Sequence, residues 1–288
     1  MLNLDNNTLY KEEIEKLYSE TKDFLDPNFE TKINEDFFAR VWEMTLVKML
    51  LDGHNLIKKK TANGPDIQIN NNNSIIHIEA VCPSAGKQEK LDSIKNDGNI
   101  QIIEDSNDSF FLGDIPQEKI ELRLSSAICD KYKITLKRKR KNIINEDEPV
   151  IIAISTAKIP ITQININEGG FGTAFNILRT LFPIDRSYNC FDELSKKIEI
   201  CYPYKGENIK SSGNVVNKKI FLSDEYKYLS AIIYSTDSYP TFVDKQSRNC
   251  YIIKNPQCLN PLNTNLGMKE IKFILVNDKF RLSLDNDV

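Results

Sequence analysis

The sequence predicts an α/β fold in which a mixed central β-sheet is flanked by helices, and two observations carry that expectation. Apolar residues recur at three-and-four spacing over residues 36 to 51 and 117 to 141, the period of helices with one buried face. Between and after them lie short runs of strand character, one of which, Pro149-Val150-Ile151-Ile152-Ala153-Ile154-Ser155, is apolar on both faces. A strand of that kind belongs inside a sheet that helices cover from both sides. The chain has 288 residues, 40% of them hydrophobic and 27% charged, enough for one large domain or a core with a smaller lobe. We divide it into a core with an N-terminal helix at residues 1 to 155 and an extension at 156 to 288 that continues the sheet or forms a small lobe.

In chain order, residues 8 to 24 form a weakly amphipathic helix through Leu9, Ile14, Leu17, Tyr18 and Phe24. The helix over 36 to 51 buries Phe37, Phe38, Val41, Trp42, Thr45, Leu46 and Met49, and Gly53 supplies its C-cap. A short strand at 55 to 59, a turn at Asn63-Gly64-Pro65, a strand at 66 to 69, an asparagine-rich tip and a strand at 74 to 82 make a hairpin. Residues 83 to 115 mix charge, Gly and Pro, and read as an insertion with one short strand near 100 to 103. The long helix over 117 to 141 follows, then the inner strand. Beyond residue 156 the pattern is irregular until two further apolar strands, at 228 to 235 and 271 to 276. No internal repeat is present.

Composition excludes several classes. The formal net charge is -3 and the pI about 5.7, so no global field draws the chain to nucleic acid and any phosphate binding must come from a local basic surface. No run approaches the roughly 18 apolar residues of a membrane span, and the polar N-terminus lacks signal-peptide character, so the expected location is cytoplasmic. The six cysteines (Cys82, Cys129, Cys190, Cys201, Cys250, Cys258) contain no CxxC pair and read as free thiols, mostly in the core. His54 and His77 are the only histidines and receive no role. The run Lys137-Arg138-Lys139-Arg140-Lys141 reads as a solvated helix end whose charges suit the dipole, and Gly169-Gly170-Phe171-Gly172 reads as a turn.

One constellation carries chemistry. Metal-assisted phosphodiester hydrolysis needs two or three carboxylates converging on a hard cation that keeps water positions open. Asp66 opens a strand directly after Gly64-Pro65, and Glu79 stands on the partner strand of the same hairpin, so their carboxylates can meet at one end of the sheet. Glu43 lies between Trp42 and Met44 on the preceding helix, where a charge is costly unless it is paired or bound to a metal. Taken singly, Asp66 is explained as a turn cap and Glu79 as an edge residue; their order is what speaks for a site.

Over about residues 36 to 155 the order Glu43, then Gly64-Pro65-Asp66, then Ile78-Glu79-Ala80-Val81 resembles the restriction-endonuclease-like PD-(D/E)xK nuclease superfamily. The resemblance implies a restriction-endonuclease-like core, magnesium or manganese held by Glu43, Asp66 and Glu79, and a lysine two positions after the glutamate that helps to position water. Val81 stands at that lysine's position, on the same strand face as Glu79. Members of the superfamily sometimes move the lysine to a neighbouring element. On the second long helix Lys131 is the first candidate and Arg123 the next, with Lys58, Lys59, Lys60 and Lys87 weaker substitutes. The implied function is metal-dependent hydrolysis of nucleic acid, DNA in the first instance, with Lys131 or Arg123 stabilising charge on the phosphate. The alternative is a nuclease-like fold without catalysis that serves as a nucleic-acid or protein binding module. A third class, a small-molecule or protein-modifying enzyme, would call for a deep apolar pocket and finds no cofactor motif.

Overall fold

A strand can be buried on both faces only if each face has its own layer of helices, and the two hydrophobic clusters of this protein follow that rule. The computed structural model describes residues 8–59, 61, 63–71, 74–87, 93–94, 101–105, 108–112, 116–163, 175–184, 188–192, 197–201, 207–209, 213, 215–237, 250–276 and 279–285. Its helices are α1 (Thr8–Thr21), α2 (Phe29–Ile33), α3 (Phe37–Leu51), α4 (Gln117–Arg140) and α5 (Phe175–Leu181). The strands β1 (Asn55–Leu56), β2 (Ile67–Asn71), β3 (Ser74–Val81), β6 (Val150–Ser155), β11 (Ala231–Ser235), β12 (Cys250–Lys254), β13 (Lys269–Val276) and β14 (Lys279–Asp285) form one eight-stranded sheet in the order β1-β2-β3-β6-β11-β12-β13-β14. Three further sheets have two strands each: β4 (Gln101–Asp105) with β5 (Asp108–Leu112), β7 (Tyr188–Asp192) with β8 (Lys197–Cys201), and β9 (Glu207–Ile209) with β10 (Val215–Asn217).

The sheet is mixed: β3, β6 and β11 run parallel, as do β12 and β13, and the remaining pairs are antiparallel. Because β11 to β14 continue directly from β6, residues beyond 155 extend the same sheet. Alternation along β6 shows the layering. Ile151 and Ala153 join a core with Val41, Trp42, Leu46, Ile76 and Ile78, on the side of α1 to α3. Ile152 and Ile154 join the opposite core with Ile120, Leu124, Ile128, Ile177 and Leu181, on the side of α4 and α5. Each fully buried aliphatic side chain of this size contributes about 1.5–3 kcal/mol. Trp42 adds a directional tie, its indole N–H donating to the Ala153 carbonyl at 3.1 Å.

Most predicted elements have their counterparts, with differences that have physical reasons. Asp36 caps α3, its carboxylate accepting from the Ala39 N–H at 3.3 Å. The other end does not use Gly53 as expected. Asp52 is the cap, in right-handed conformation, and the Gly53 and His54 N–H groups return to the Leu50 carbonyl, so no left-handed residue is required. The predicted strand at 55 to 59 shortens to two paired residues, and the insertion carries a second strand, β5, beside the expected one. The Asn72-Asn73 tip, Lys60 and Gly169 to Gly172 lie outside the described residues. Cys82, Cys129, Cys250 and Cys258 are free thiols, two buried and two half-buried. Among the described residues no helix is long and apolar enough to cross a membrane.

Candidate functional site

The antiparallel register of β2 and β3 pairs Ile67 with Ile78, and one further step sets Asp66 opposite Glu79. Directly opposed residues share a face. The face is that of α4, because Glu79 stands level with Ile152 and Val81 level with Ile154, both in the core beneath that helix. A side chain from α4 can therefore reach the spot that a lysine at position 81 would serve. Lys131 does so: its Nζ donates to Asp66 Oδ2 at 3.0 Å and to Glu79 Oε2 at 3.4 Å. Two turns further along the same helix stripe, Arg138 pairs with Glu79 Oε1.

Asp66 is held from several sides. The Ala80 N–H donates to its Oδ2 at 2.8 Å, and Lys59 Nζ stands 3.5 Å from its backbone carbonyl while pairing with Asp26. Burial pushes the Asp66 carboxyl up, but the Lys131 charge and hydrogen bond, with Lys59 and the Ala80 N–H, outweigh it, and the group is held below the usual carboxylate range. Glu43 moves the other way. Burial and the nearby Asp66 charge raise it to about 7 in spite of Arg40 and Lys59. Arg40 Nη1 donates to Glu43 Oε2 at 2.6 Å, while Glu43 Oε1 is buried with no hydrogen-bond partner. One cluster thus combines an ionised carboxylate beside a lysine, a second carboxylate poised near neutrality, and a third flanked by lysine and arginine. Lys131, Asp66 and Arg138 keep side-chain exposures of 22%, 19% and 17%, so the cluster has an open side, whereas Glu79 is 1% exposed.

Of the five residues expected to act here, Asp66, Glu79 and Lys131 meet directly, and Glu43 lies close enough to Asp66 for their charges to interact. Arg123 does not join them. It sits two turns before Lys131, roughly 12 Å along the helix axis, and its Nη2 donates to Ser93 Oγ at 3.4 Å. Its guanidinium fills the space beside Gly86, where a Cβ would collide with that same nitrogen. Sequence reasoning does not find Arg138, Arg40 or Asp26. Arg138 is legible in principle, lying seven residues beyond Lys131 and hence on its stripe, but a basic run at a helix end reads as solvated. That expectation is corrected for two of the five residues. Arg138 turns to Glu79, and Lys139 is buried with its ammonium on the carbonyls of Asn145, Glu146 and Glu148.

His77, two residues before Glu79 on the same face, is buried between Gln68 and Glu148. Burial lowers its basicity more than Glu148 restores it, which suits a neutral ring donating from Nε2 to Glu148 and accepting at Nδ1 from Gln68. We assign it a structural part.

The donor chemistry fits a hard divalent cation, with oxygen ligands only and a buried Glu43 oxygen lacking a partner. Among the described residues, however, no group of three or more His, Cys, Asp or Glu is arranged to hold a metal ion. Magnesium commonly takes only one or two carboxylates, completing its shell with water and substrate phosphate, so Asp66 and Glu79 would suffice. Comparisons with protein-family models, curated proteins and solved structures gave no match.

Proposed function

We propose that this cluster hydrolyses phosphodiesters in nucleic acid, DNA in the first instance, as a restriction-endonuclease-like core in which Lys131 replaces the lysine absent at Val81. The observation that carries the reading is the single ammonium of Lys131 bridging the carboxylates of Asp66 and Glu79 from a neighbouring helix. In this reading Asp66 and Glu79 hold magnesium or manganese, with Glu43 beside them. The cation would lower the pKa of bound water and offset phosphate charge. Lys131 turns from the carboxylates to orient that water and to donate to the phosphate oxygen on which charge develops. Arg138 fixes the orientation of Glu79.

Cleavage of supercoiled plasmid in magnesium or manganese, with wild type, Lys131→Met and the double variant Lys131→Met with Val81→Lys, tests this directly. Loss of about 100- to 1000-fold in rate on removing Lys131 is the expected size for one charge-stabilising donor. Val81 shares the strand face of Glu79, so the second substitution should restore part of the rate. Cleavage unaffected by Lys131→Met would refute the assignment.

A second reading rests on the pairing itself. Glu43 with Arg40, Asp66 with Lys131 and Glu79 with Arg138 leave each carboxylate matched by a cation of the chain. A core balanced in this way also suits a binding module without catalysis, and it would bind nucleic acid without cutting it.

A further inference from the structure

The basic run at the end of α4 divides by direction. Arg138 and Lys139 point inward, while Lys137, Arg140 and Lys141 are exposed, and so is Lys133 one turn earlier. Positions 133, 137, 140 and 141 follow the i, i+4, i+7, i+8 pattern and share one helix face. None of the four makes an ion pair among the described residues. The acids nearest in sequence, Asp130 before the stripe and Glu146 and Asp147 after it, form no ion pair with it among the described residues. Four unpaired cations on one face repel one another, an arrangement that favours an anionic partner over solvent.

The stripe's position is informative. At about 100° per residue it lies roughly 120° round α4 from Lys131 and Arg138, within one helix diameter of about 10–12 Å. Its length, about 12 Å from 133 to 141, matches three or four phosphates at roughly 3.4 Å of rise per strand. A single phosphate or nucleotide would use one or two of these cations, whereas a polyanion can engage all four.

We propose that the exposed face of α4 formed by Lys133, Lys137, Arg140 and Lys141 docks the phosphodiester backbone of a nucleic acid and lays it beside the carboxylate site. This face is the docking surface of the function proposed above, and the choice of polyanion rests on that reading. Docking is to the backbone, so binding is indifferent to sequence and strongly salt-dependent.

The test is fluorescence anisotropy with a labelled duplex of about 20 base pairs in EDTA, which suppresses cleavage, over roughly 50 to 200 mM salt. The proteins are wild type, the quadruple variant Lys133→Gln, Lys137→Gln, Arg140→Gln and Lys141→Gln, and a control with two exposed lysines removed away from the stripe, Lys16→Gln with Lys22→Gln. Gln keeps helix propensity at exposed positions, and a circular-dichroism melt confirms folding. The quadruple variant should bind on the order of tenfold more weakly at about 50 mM salt, with the slope of log K against log salt shallower by about 0.9 for each phosphate no longer neutralised. The control should bind as wild type does. Duplex binding that depends on the stripe, in a protein that never cleaves, would uphold docking and refute the nuclease reading. Equal affinity and slope in wild type and quadruple variant, or no duplex binding by wild type, would overturn docking. So would stripe-dependent binding to vesicles of phosphatidylglycerol with phosphatidylcholine in the absence of duplex binding.

Discussion

α4 carries two charged clusters, and they are built differently. Near its start, Glu121 is buried at 1% exposure with Arg179 Nε on one oxygen at 2.5 Å and Lys218 Nζ on the other at 3.1 Å. Asn208 donates to the second oxygen as well, at 2.5 Å, and Lys218 also reaches the Ile184 carbonyl at 2.9 Å. Both carboxylate oxygens are satisfied and all the partners are buried, so this network ties α4 to α5 and to the segments around β9 and β10. In the second half of the helix, Lys131 and Arg138 meet Asp66 and Glu79 in a cluster with an open side and an unpartnered Glu43 oxygen. Closed networks hold elements together; open ones with incompletely satisfied carboxylates leave ligand capacity, and the contrast supports the proposal of a site in the second and an architectural part for the first.

If that contrast is right, the largest loss of stability comes from the closed network. Glu121→Ala leaves Arg179 and Lys218 buried without their shared carboxylate, and urea unfolding should show a loss of about 3–5 kcal/mol. A loss below about 1 kcal/mol would put this network on a level with a surface ion pair and erase the contrast. Glu79→Gln should cost less, about 1–2 kcal/mol, because Lys131 and Arg138 retain exposure and the one that loses its acceptor can turn to water while the amide oxygen still accepts from the other. The same substitution should abolish metal-dependent cleavage, which separates a site residue from a structural one.

A further effect is a pH dependence. The Glu43 carboxyl sits at about 7 in the folded protein against an ordinary value of 4.5, so between those values the folded state holds the proton more tightly. That contribution is fully present below about 4.5 and is lost as pH rises through 7. Comparing urea midpoints at about pH 5 and pH 8, wild type should lose more stability than Glu43→Gln on going to the higher pH. Equal losses would mean that Glu43 is ionised throughout.

What the sequence discloses follows from the range of the interactions. α3, β3, α4 and β6 are readable because their periodicity is local, and Lys131 can be singled out because helix spacing and the hairpin order both point to one face. α2, with five residues, is too short to show a period, and β12, Cys250–Lys254, has too few residues to stand out in an irregular stretch. The Glu121 network cannot be read at all, since Arg179 and Asn208 lie 58 and 87 residues away and nothing local marks Glu121 as buried. Arg138 and Lys139 escape for a related reason. A run of five cations looks solvated until the neighbouring strand and the turn after the helix supply Glu79 and three carbonyls.

Whether the open cluster is a site for a divalent cation is best decided by isothermal calorimetry of magnesium and of manganese against wild type and against Asp66→Ala with Glu79→Ala. Wild type should bind, and binding should disappear in the double variant while its circular-dichroism spectrum is retained. No binding by wild type at millimolar metal, or equal binding by both proteins, would show that the cluster is not a cation site.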